Sequence, residues 1–440
     1  MSVHELALQR AKYKHLSDDE WRWFLQQVEG RERTADKLPS FASIEDWWYP
    51  VRLSCEQCSS ELTARYKAKI VNGKCPNGKC LDLTGGYGVD TLFLSKLFDR
   101  TDYVEQNAEL CRIMAHNKEL FKSPNIAIHN CTAEEFLSSP LHGAGEELRS
   151  IGLPVAVRRT NKGGYSLIFI DPARRDAHGG KVFKLADCTP NVIDLLPAMM
   201  EHLTPSGQIM LKLSPMLDIS QALKELSTPC TFLPPSTGQV KSFARSDCQW
   251  PSVEQIRGAS PLSWSVHVVA VKNEVKEVIL CTKGPSTMYE GGRITAIDLA
   301  EPEKLFTFTR EEESNSEAVF QRSGLSSNSE AVYLYEPDTA ILKAGAYKLV
   351  SARFGLTKLD VNTHLYMSDQ FIPAFPGRIF QTLPDKQDLA AGSKANVLVR
   401  NYPMTAEQLK KKLRLKDGGE NYLIACRVNG KPTLFHAKRV

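Results

Sequence analysis

The run Leu81-Asp82-Leu83-Thr84-Gly85-Gly86-Tyr87-Gly88 joins an apolar strand that ends on an acid, a glycine turn and a helix opening at Val89-Asp90-Thr91. Glycine lets the backbone pass close to a ligand and accepts positive φ without steric cost. A second apolar stretch, Tyr103-Val104-Glu105-Gln106, also closes on an acid. At the end of the second strand of a doubly wound sheet, such a carboxylate accepts hydrogen bonds from ribose hydroxyls. The two runs together describe a site for a nucleoside-bearing ligand at the carboxyl edge of a parallel sheet. Dinucleotide sites use G-x-G-x-x-G with a helix amino terminus aimed at pyrophosphate. Here Asp82-x-x-x-Gly86-x-Gly88 lacks the third glycine, and Asp82 would repel a diphosphate. An acid in that place suits a ligand presenting an ammonium and a sulfonium; the alternative is an ordinary strand-to-helix turn.

A second constellation is Asp171-Pro172-Ala173-Arg174-Arg175, directly after the apolar run Ser166 to Ile170. A carboxylate beside backbone carbonyls accepts the protons of an amine and aims its lone pair, so catalysis there is mostly positioning. The Arg174-Arg175 pair suits a phosphate; its alternative role is to tie down the strand end. Cys55-x-x-Cys58 and Cys75-x-x-x-x-Cys80 have short spacings that zinc sites also use. Cys80 abuts the first core strand and Cys58 leads into a helical run, so buried or capping thiols are the expected reading, with no metal. Cys188 has no base nearby in the chain and is expected to be structural.

These residues need a scaffold, and the pattern predicts one. Ser17-Asp18-Asp19-Glu20 reads as a capping box, with Trp21, Phe24, Leu25 and Val28 on one helical face; residues 1–52 are expected to form a helical cap. A helix capped by Ser59 or Ser60 leads to strand Leu81–Leu83. A helix from Val89, strand Tyr103–Glu105, a helix over Leu110–Phe121 and strands Ile126–His129, Ser166–Asp171 and Gln208–Leu213 then follow. This alternation predicts a parallel α/β sheet over 53–285. Val266–Val271 and Glu277–Cys281, joined by Lys272-Asn273-Glu274, read as a hairpin that closes it. Long connections at 138–165 and 229–262 are expected to shape substrate access. Residues 286–330 read as a connecting β-rich segment with pieces Ile294–Ile297 and Leu305–Thr309, and 331–440 as a smaller α/β domain with a helix near Ala340–Leu349.

With 55 basic against 51 acidic residues the chain is not a histone-like binder. It contains no long uninterrupted apolar run, and its eleven cysteines fit reduced thiols, so a cytoplasmic protein without a membrane span is expected. Residues 394–440 hold eleven Lys and Arg against three acids, a net of +8 against +4 for the whole chain. Lys410-Lys411-Lys412-Leu413-Arg414-Leu415-Lys416 is read as a helix whose cations follow a phosphate backbone, or else as a solvated helix face.

The glycine run resembles motif I of class I methyltransferases, with Thr84 where their pattern usually has its first glycine. The resemblance implies S-adenosyl-L-methionine as cofactor, held by Asp82, Thr84, Gly85, Gly86, Gly88, Asp90, Glu105, Gln106, Thr132 and Ala133. Thr132 stands where many relatives carry an acid on the adenine amine. In amino-methylating members an Asp or Asn followed by Pro-Pro and an aromatic holds the target amine. Here Asp171 and Pro172 match, whereas Ala173 and Arg174 do not. Asp-Pro-x-Arg also resembles the signature of C5-uridine methyltransferases, but Lys212-Leu213-Ser214-Pro215 lacks the cysteine their covalent attack requires.

Four stretches, Glu56-Gln57-Cys58-Ser59-Ser60-Glu61, the glycine run, Val104-Glu105-Gln106-Asn107 and Asp171-Pro172-Ala173-Arg174-Arg175, look like a bacterial methyltransferase family with a THUMP-like carboxyl-terminal domain. Tyr335-Glu336-Pro337-Asp338, Arg400-Asn401-Tyr402-Pro403 and Asp417-Gly418-Gly419 look like the same family. The implied fold is a Rossmann-like class I methyltransferase sheet with an amino-terminal helical cap. The implied activity is methylation of a nitrogen in structured RNA, transfer or ribosomal. Asp171, Pro172 and Arg174 would be catalytic, and Arg174, Arg175, Lys410, Lys411, Lys412 and Arg414 would contact RNA. The alternatives are a non-RNA acceptor and, from Thr84, Thr132 and Ala173, an inactive fold that binds RNA without turnover.

Overall fold

The computed structural model describes residues 3–71, 78–138, 164–173, 184–227, 263–283, 292–320, 332–383 and 390–440. The long connections at 138–165 and 229–262 lie almost wholly outside them, as do Cys75, Arg174 and Arg175. The chain divides into two units, Met1–Trp264 with Ile279–Gly291, and Ser265–Val278 with Gly292–Val440.

In the first unit the expected capping box is present: the Ser17 hydroxyl accepts from the Glu20 N–H, and the Glu20 carboxylate accepts from the Ser17 N–H. It starts the helix Asp18–Thr34, where Trp21 is buried and Phe24, Leu25 and Val28 only partly so. The amino-terminal segment packs on the glycine turn, with Leu38, Phe41 and Trp47 sharing one core with Tyr87, Val89 and Tyr103. The Trp47 indole N–H donates to the Tyr87 hydroxyl at 2.7 Å. Ser60 caps the helix Glu61–Val71 through the Thr63 N–H.

Strands β1 (Lys79–Asp82), β2 (Arg100–Val104), β3 (Ile126–His129), β4 (Tyr165–Ile170) and β5 (Leu203–Leu213) pair in parallel. Their order is β3-β2-β1-β4-β5, followed by β7 (Glu274–Lys283). The helices Val89–Ser95 and Ala108–Leu120 connect the first three strands. The winding reverses at β1, which is flanked by β2 on one side and β4 on the other. Ligands of open α/β sheets bind at such a switch point, beyond the carboxyl ends of the strands. Within the sheet, Asp102 at the middle of β2 sits against Arg100, His129 and the Tyr165 hydroxyl. Burial would raise this carboxyl, but the hydrogen bonds from His129 and Arg100 hold it well below the usual range.

β6 (Trp264–Val271) and β7, whose residues divide between the two units, form the expected hairpin, turning on Lys272 and Asn273 at φ of 53° and 60°, but it does not close the sheet, which continues through two further strands. β8 (Arg293–Asp298) lies parallel to β6, and β9 (Lys304–Thr309) antiparallel to β8. An eight-stranded sheet comprises β10 (Val319–Phe320), β11 (Tyr333–Pro337), β12 (Thr357–Asp360), β13 (Thr363–Ser368), β14 (Gly377–Thr382), β15 (Asn396–Arg400), β16 (Asn421–Val428) and β17 (Lys431–Arg439).

Two expected helices differ. The one near Ala340–Leu349 is broken into Thr339–Ala344 and Tyr347–Phe354, because Gly345 adopts φ of 85° and ends the first. The basic helix does not run to Lys416. It spans Ala406–Leu413 behind a Thr405 capping box and stops at Arg414, which is left-handed at φ of 53°. The Leu415 N–H reaches back to the Lys410 carbonyl and Leu415 is buried, so tertiary packing ends the helix where propensity alone would continue it.

Candidate active site at the carboxyl edge of the parallel sheet

The glycine turn is shaped by what lies behind each glycine. A Cβ on Gly85 would stand 2.1 Å from the ring of fully buried Tyr103, and one on Gly88, at φ of 84°, 2.7 Å from the Met114 sulfur. These two glycines serve packing. Gly86, at φ of 53°, differs: a Cβ there would meet only the Thr84 carbonyl at 3.8 Å, so this face of the turn is open. The Tyr103 hydroxyl donates to the Gly86 carbonyl at 2.5 Å, and the Gly85 N–H to the Val104 carbonyl, which fixes the turn over the end of β2.

Glu105 follows β2 with a partly exposed carboxylate. Oε2 accepts from the Gly86 N–H at 2.9 Å and Oε1 from the Asn107 N–H at 2.7 Å. Each oxygen keeps a further lone pair for a ligand hydroxyl. Gln106 beside it is exposed.

Asp82 is placed otherwise. It is buried at 1% exposure, with Oδ1 accepting from the Thr84 N–H at 3.0 Å and Oδ2 from the Thr91 hydroxyl at 2.5 Å. Its contacts are the turn's own groups. Burial pushes its carboxyl from 3.8 up to about 7 against the pull of Thr91 and Thr84, and Asp90 and Asp171 add repulsion. Asp90 also faces inward, accepting from the Ser59 hydroxyl at 2.6 Å and pairing with fully buried Lys67 at 3.1 Å. Thr132 caps the helix Ala133–Ser138, its hydroxyl accepting from the Glu135 N–H. Ala133 is buried.

At the end of β4 the Asp171 N–H donates to the Thr84 hydroxyl at 2.6 Å. Thr84, which departs from the glycine pattern, thereby ties the turn to the β4 end. The Asp171 carboxylate is engaged through Oδ2 by the ammonium of Lys212 on β5; no described residue donates to Oδ1. Sequence reasoning does not reach Lys212 as a functional residue. The one signal it offers is a lone cation inside the apolar run Ile209-Met210-Leu211-Lys212-Leu213. Cys58 lies in the field of Lys212, and burial pushes its thiol up; burial also raises Cys55, to about 12. The two thiols give their hydrogen bonds to the Cys55 and Pro50 carbonyls respectively. Cys188 is buried, and its thiol gives a hydrogen bond to the Lys184 carbonyl.

The structure thus brings Thr84, Gly86, Glu105, Asp171 and Lys212 to one edge of one sheet, while Asp82 and Asp90 sit beneath it. The tail cations belong to the second unit. There Lys411, Lys412 and Arg414 are exposed, and Lys410 pairs with Asp417. Glu336 of the Tyr335-Glu336-Pro337-Asp338 motif is buried between Arg378 on β14 and Arg400 on β15, each guanidinium donating to it at 2.7 Å through Nε.

Comparison with known proteins agrees with this architecture. Residues 333–376 match a ferredoxin-like domain and residues 384–439 a THUMP domain-like model. The crystal structure of a putative methyltransferase from Porphyromonas gingivalis W83 is 28% identical, covers 97% of this chain and 92% of that one, and superposes with a TM-score of 0.70. An O-methyltransferase from Bacillus cereus in complex with SAH is 11% identical over 52% of this chain and 83% of that one, with a TM-score of 0.31. An rRNA methylase from Streptococcus thermophilus is 8% identical over 51% of this chain and 94% of that one, with a TM-score of 0.27. Curated proteins yield no match. No helix among the described residues is long and apolar enough to cross a membrane.

Proposed function

We propose that this chain, a methyltransferase-fold protein with ferredoxin-like and THUMP-like carboxyl-terminal domains, uses S-adenosylmethionine to methylate a base nitrogen in structured RNA. The observation that carries the reading is the tie between the glycine turn and Asp171, made by the Asp171 N–H on the Thr84 hydroxyl. It sets a carboxylate, one of whose oxygens receives no hydrogen bond from a described residue, beside the turn whose Gly86 face is open. The residues fit such a cofactor. Glu105 would take the ribose hydroxyls, the open face of Gly86 admits the ligand's body, and Gln106, Thr132 and Ala133 follow the strands beside them.

The cofactor supplies an electrophilic methyl on a sulfonium. The chain's part is positioning: Asp171 Oδ1 accepts a proton from the acceptor nitrogen, and Pro172 fixes the backbone after it. Arg174 and Arg175 are proposed to meet the phosphate next to the target. The THUMP-like segment and its exposed cations Lys411, Lys412 and Arg414 support RNA as the acceptor, because sequence-independent affinity for nucleic acid is carried by such charges.

The test is nucleoside mass spectrometry on transfer and ribosomal RNA from a strain lacking the gene. Loss of one methylated nucleoside is expected; an unchanged profile moves the acceptor outside RNA. Absence of any calorimetric affinity for S-adenosylmethionine would instead support a protein that binds RNA without turnover.

A further inference from the structure

We propose that Lys212 works with Asp171, and that the acceptor is a group that gives up its proton to react, a ring N–H of a base, rather than a neutral exocyclic amine. The inference rests on the reading of Asp171 given above and narrows the acceptor. A carboxylate that serves a neutral exocyclic amine takes one amine proton and leaves the other to a backbone carbonyl beside it, so the number of free oxygens does not by itself choose the acceptor. Here Oδ2 is taken by Lys212, leaving one oxygen for one proton. The ammonium is also held in place: the Lys212 side chain is 11% exposed and Asp171 36%. An incoming acceptor therefore meets the carboxylate first, with the cation fixed behind it.

Charge decides which acceptor this suits. An exocyclic amine attacks as a neutral group and becomes positive, next to an ammonium that repels it. A ring N–H becomes negative as its proton passes to Asp171 Oδ1. The pair then carries a neutral acid and Lys212 as a cation, which stabilises the anion beside it, and more so where water is excluded. The exchange balances: the nitrogen's electron pair forms the bond to the methyl carbon, the carbon–sulfur bond breaks with its pair left on sulfur, and the proton leaves through Asp171 to water. Among the described residues, the titratable groups of this neighbourhood include Asp82 beside Asp171, Cys58 beside Lys212, Lys37 beside Cys58, and Asp90 with its partner Lys67.

The experiment uses the full chain, methyl-labelled S-adenosylmethionine, and total transfer and ribosomal RNA from the deletion strain, followed by digestion to nucleosides. Label on a ring nitrogen that carried a proton is expected, and label on an exocyclic amine overturns the proposal. Label on a ribose oxygen keeps an acceptor that reacts as its anion but removes the nitrogen reading. Lys212→Met should shift the rising limb of the single-turnover pH profile upward by about one unit or more. Cofactor affinity by calorimetry should stay unchanged and Lys212→Arg should restore the profile; an unshifted limb overturns the proposal. If no RNA takes label, the RNA reading fails, and nuclear magnetic resonance on ¹⁵N-lysine protein decides for Lys212. The ammonium must keep its proton from about pH 6 to about pH 9 and lose its ordered signal in Asp171→Asn; a neutral amine at about pH 8 overturns the inference.

Discussion

The carboxyl edge of the first unit's sheet and the basic helix Ala406–Leu413 of the second both concentrate charge, and they do so in opposite ways. Among the described residues at and beneath the sheet edge, the acids have assigned partners: Asp82 on Thr84 and Thr91, Asp90 on Lys67 and Ser59, Glu105 on two backbone amides, Asp171 on Lys212. On the helix, Lys411 and Lys412 stand exposed, and Arg414 follows at its end. Groups of the first kind act through geometry, so one atom matters. Groups of the second kind act through summed charge, so only the total does.

The largest effect should come from the group placed to touch the acceptor. Asp171→Asn keeps the backbone amide on Thr84 but removes the proton acceptor, and should lower transfer on the order of a thousandfold, about 4 kcal/mol of barrier. Cofactor affinity measured by calorimetry should stay within about twofold. A fully active variant would take Asp171 out of the mechanism and dissolve the contrast at its strongest point.

Next come the glycines, which separate packing from access within one turn. Gly85→Ala drives a methyl into the Tyr103 ring and should cost about 3 kcal/mol in denaturant unfolding. Gly86→Ala meets open space and is strained only by its left-handed backbone, about 1 kcal/mol. Its methyl takes room on the face assigned to the cofactor, so calorimetry should register it far more than the denaturation midpoint does. Equal destabilisation at the two positions would mean that the open face is not a site.

Asp82 adds a pH dependence to the same edge. In the unfolded chain its carboxyl ionises near the ordinary 3.8, and in the fold near 7. Between these values unfolding releases a proton, so stability falls as pH rises, by at most about 1.4 kcal/mol per unit. Below the window both states are protonated and the stability is whole; above it both are ionised and the loss is complete. Asp82→Asn should flatten this slope in urea titrations carried out across the window. An unchanged slope would assign the pH dependence to other groups.

What is legible in the sequence follows the same division. Glycine spacing, alternating apolar runs and the capping box of Ser17 are local signals, and the strands they predict lie within a few residues of those found, with Ile126–His129 unchanged. The partners of buried charges are not local. Lys212 lies forty-one positions from Asp171, and Lys67 reaches Asp90 from another helix. Thr84 reads as a departure from a glycine pattern because only the fold shows its hydroxyl receiving the Asp171 amide. Likewise Glu336 and Arg400, conspicuous in two separate tail motifs, form one ion pair shared with Arg378. The end of the basic helix escapes a propensity argument because Leu415, two residues past it, is buried.

The smallest expected effect on stability lies on that helix, and it completes the contrast. Lys411→Glu with Lys412→Glu alters exposed side chains and should leave the denaturation midpoint within about 0.5 kcal/mol of the parent. If these cations follow a phosphate backbone, affinity for transfer RNA should drop. The slope of log affinity against log salt should then flatten by roughly 0.7 to 0.9 for each phosphate that is no longer neutralised. Arg414→Gly is the matching control. It removes one exposed cation and at the same time relieves a left-handed arginine, so stability should rise by up to about 1 kcal/mol while the salt slope flattens by about one phosphate's share. Unchanged slopes in both variants would make the run a solvated face and leave RNA recognition to other residues of the chain. Flattened slopes with unchanged stability in the double variant would confirm that this end of the molecule acts through charge alone.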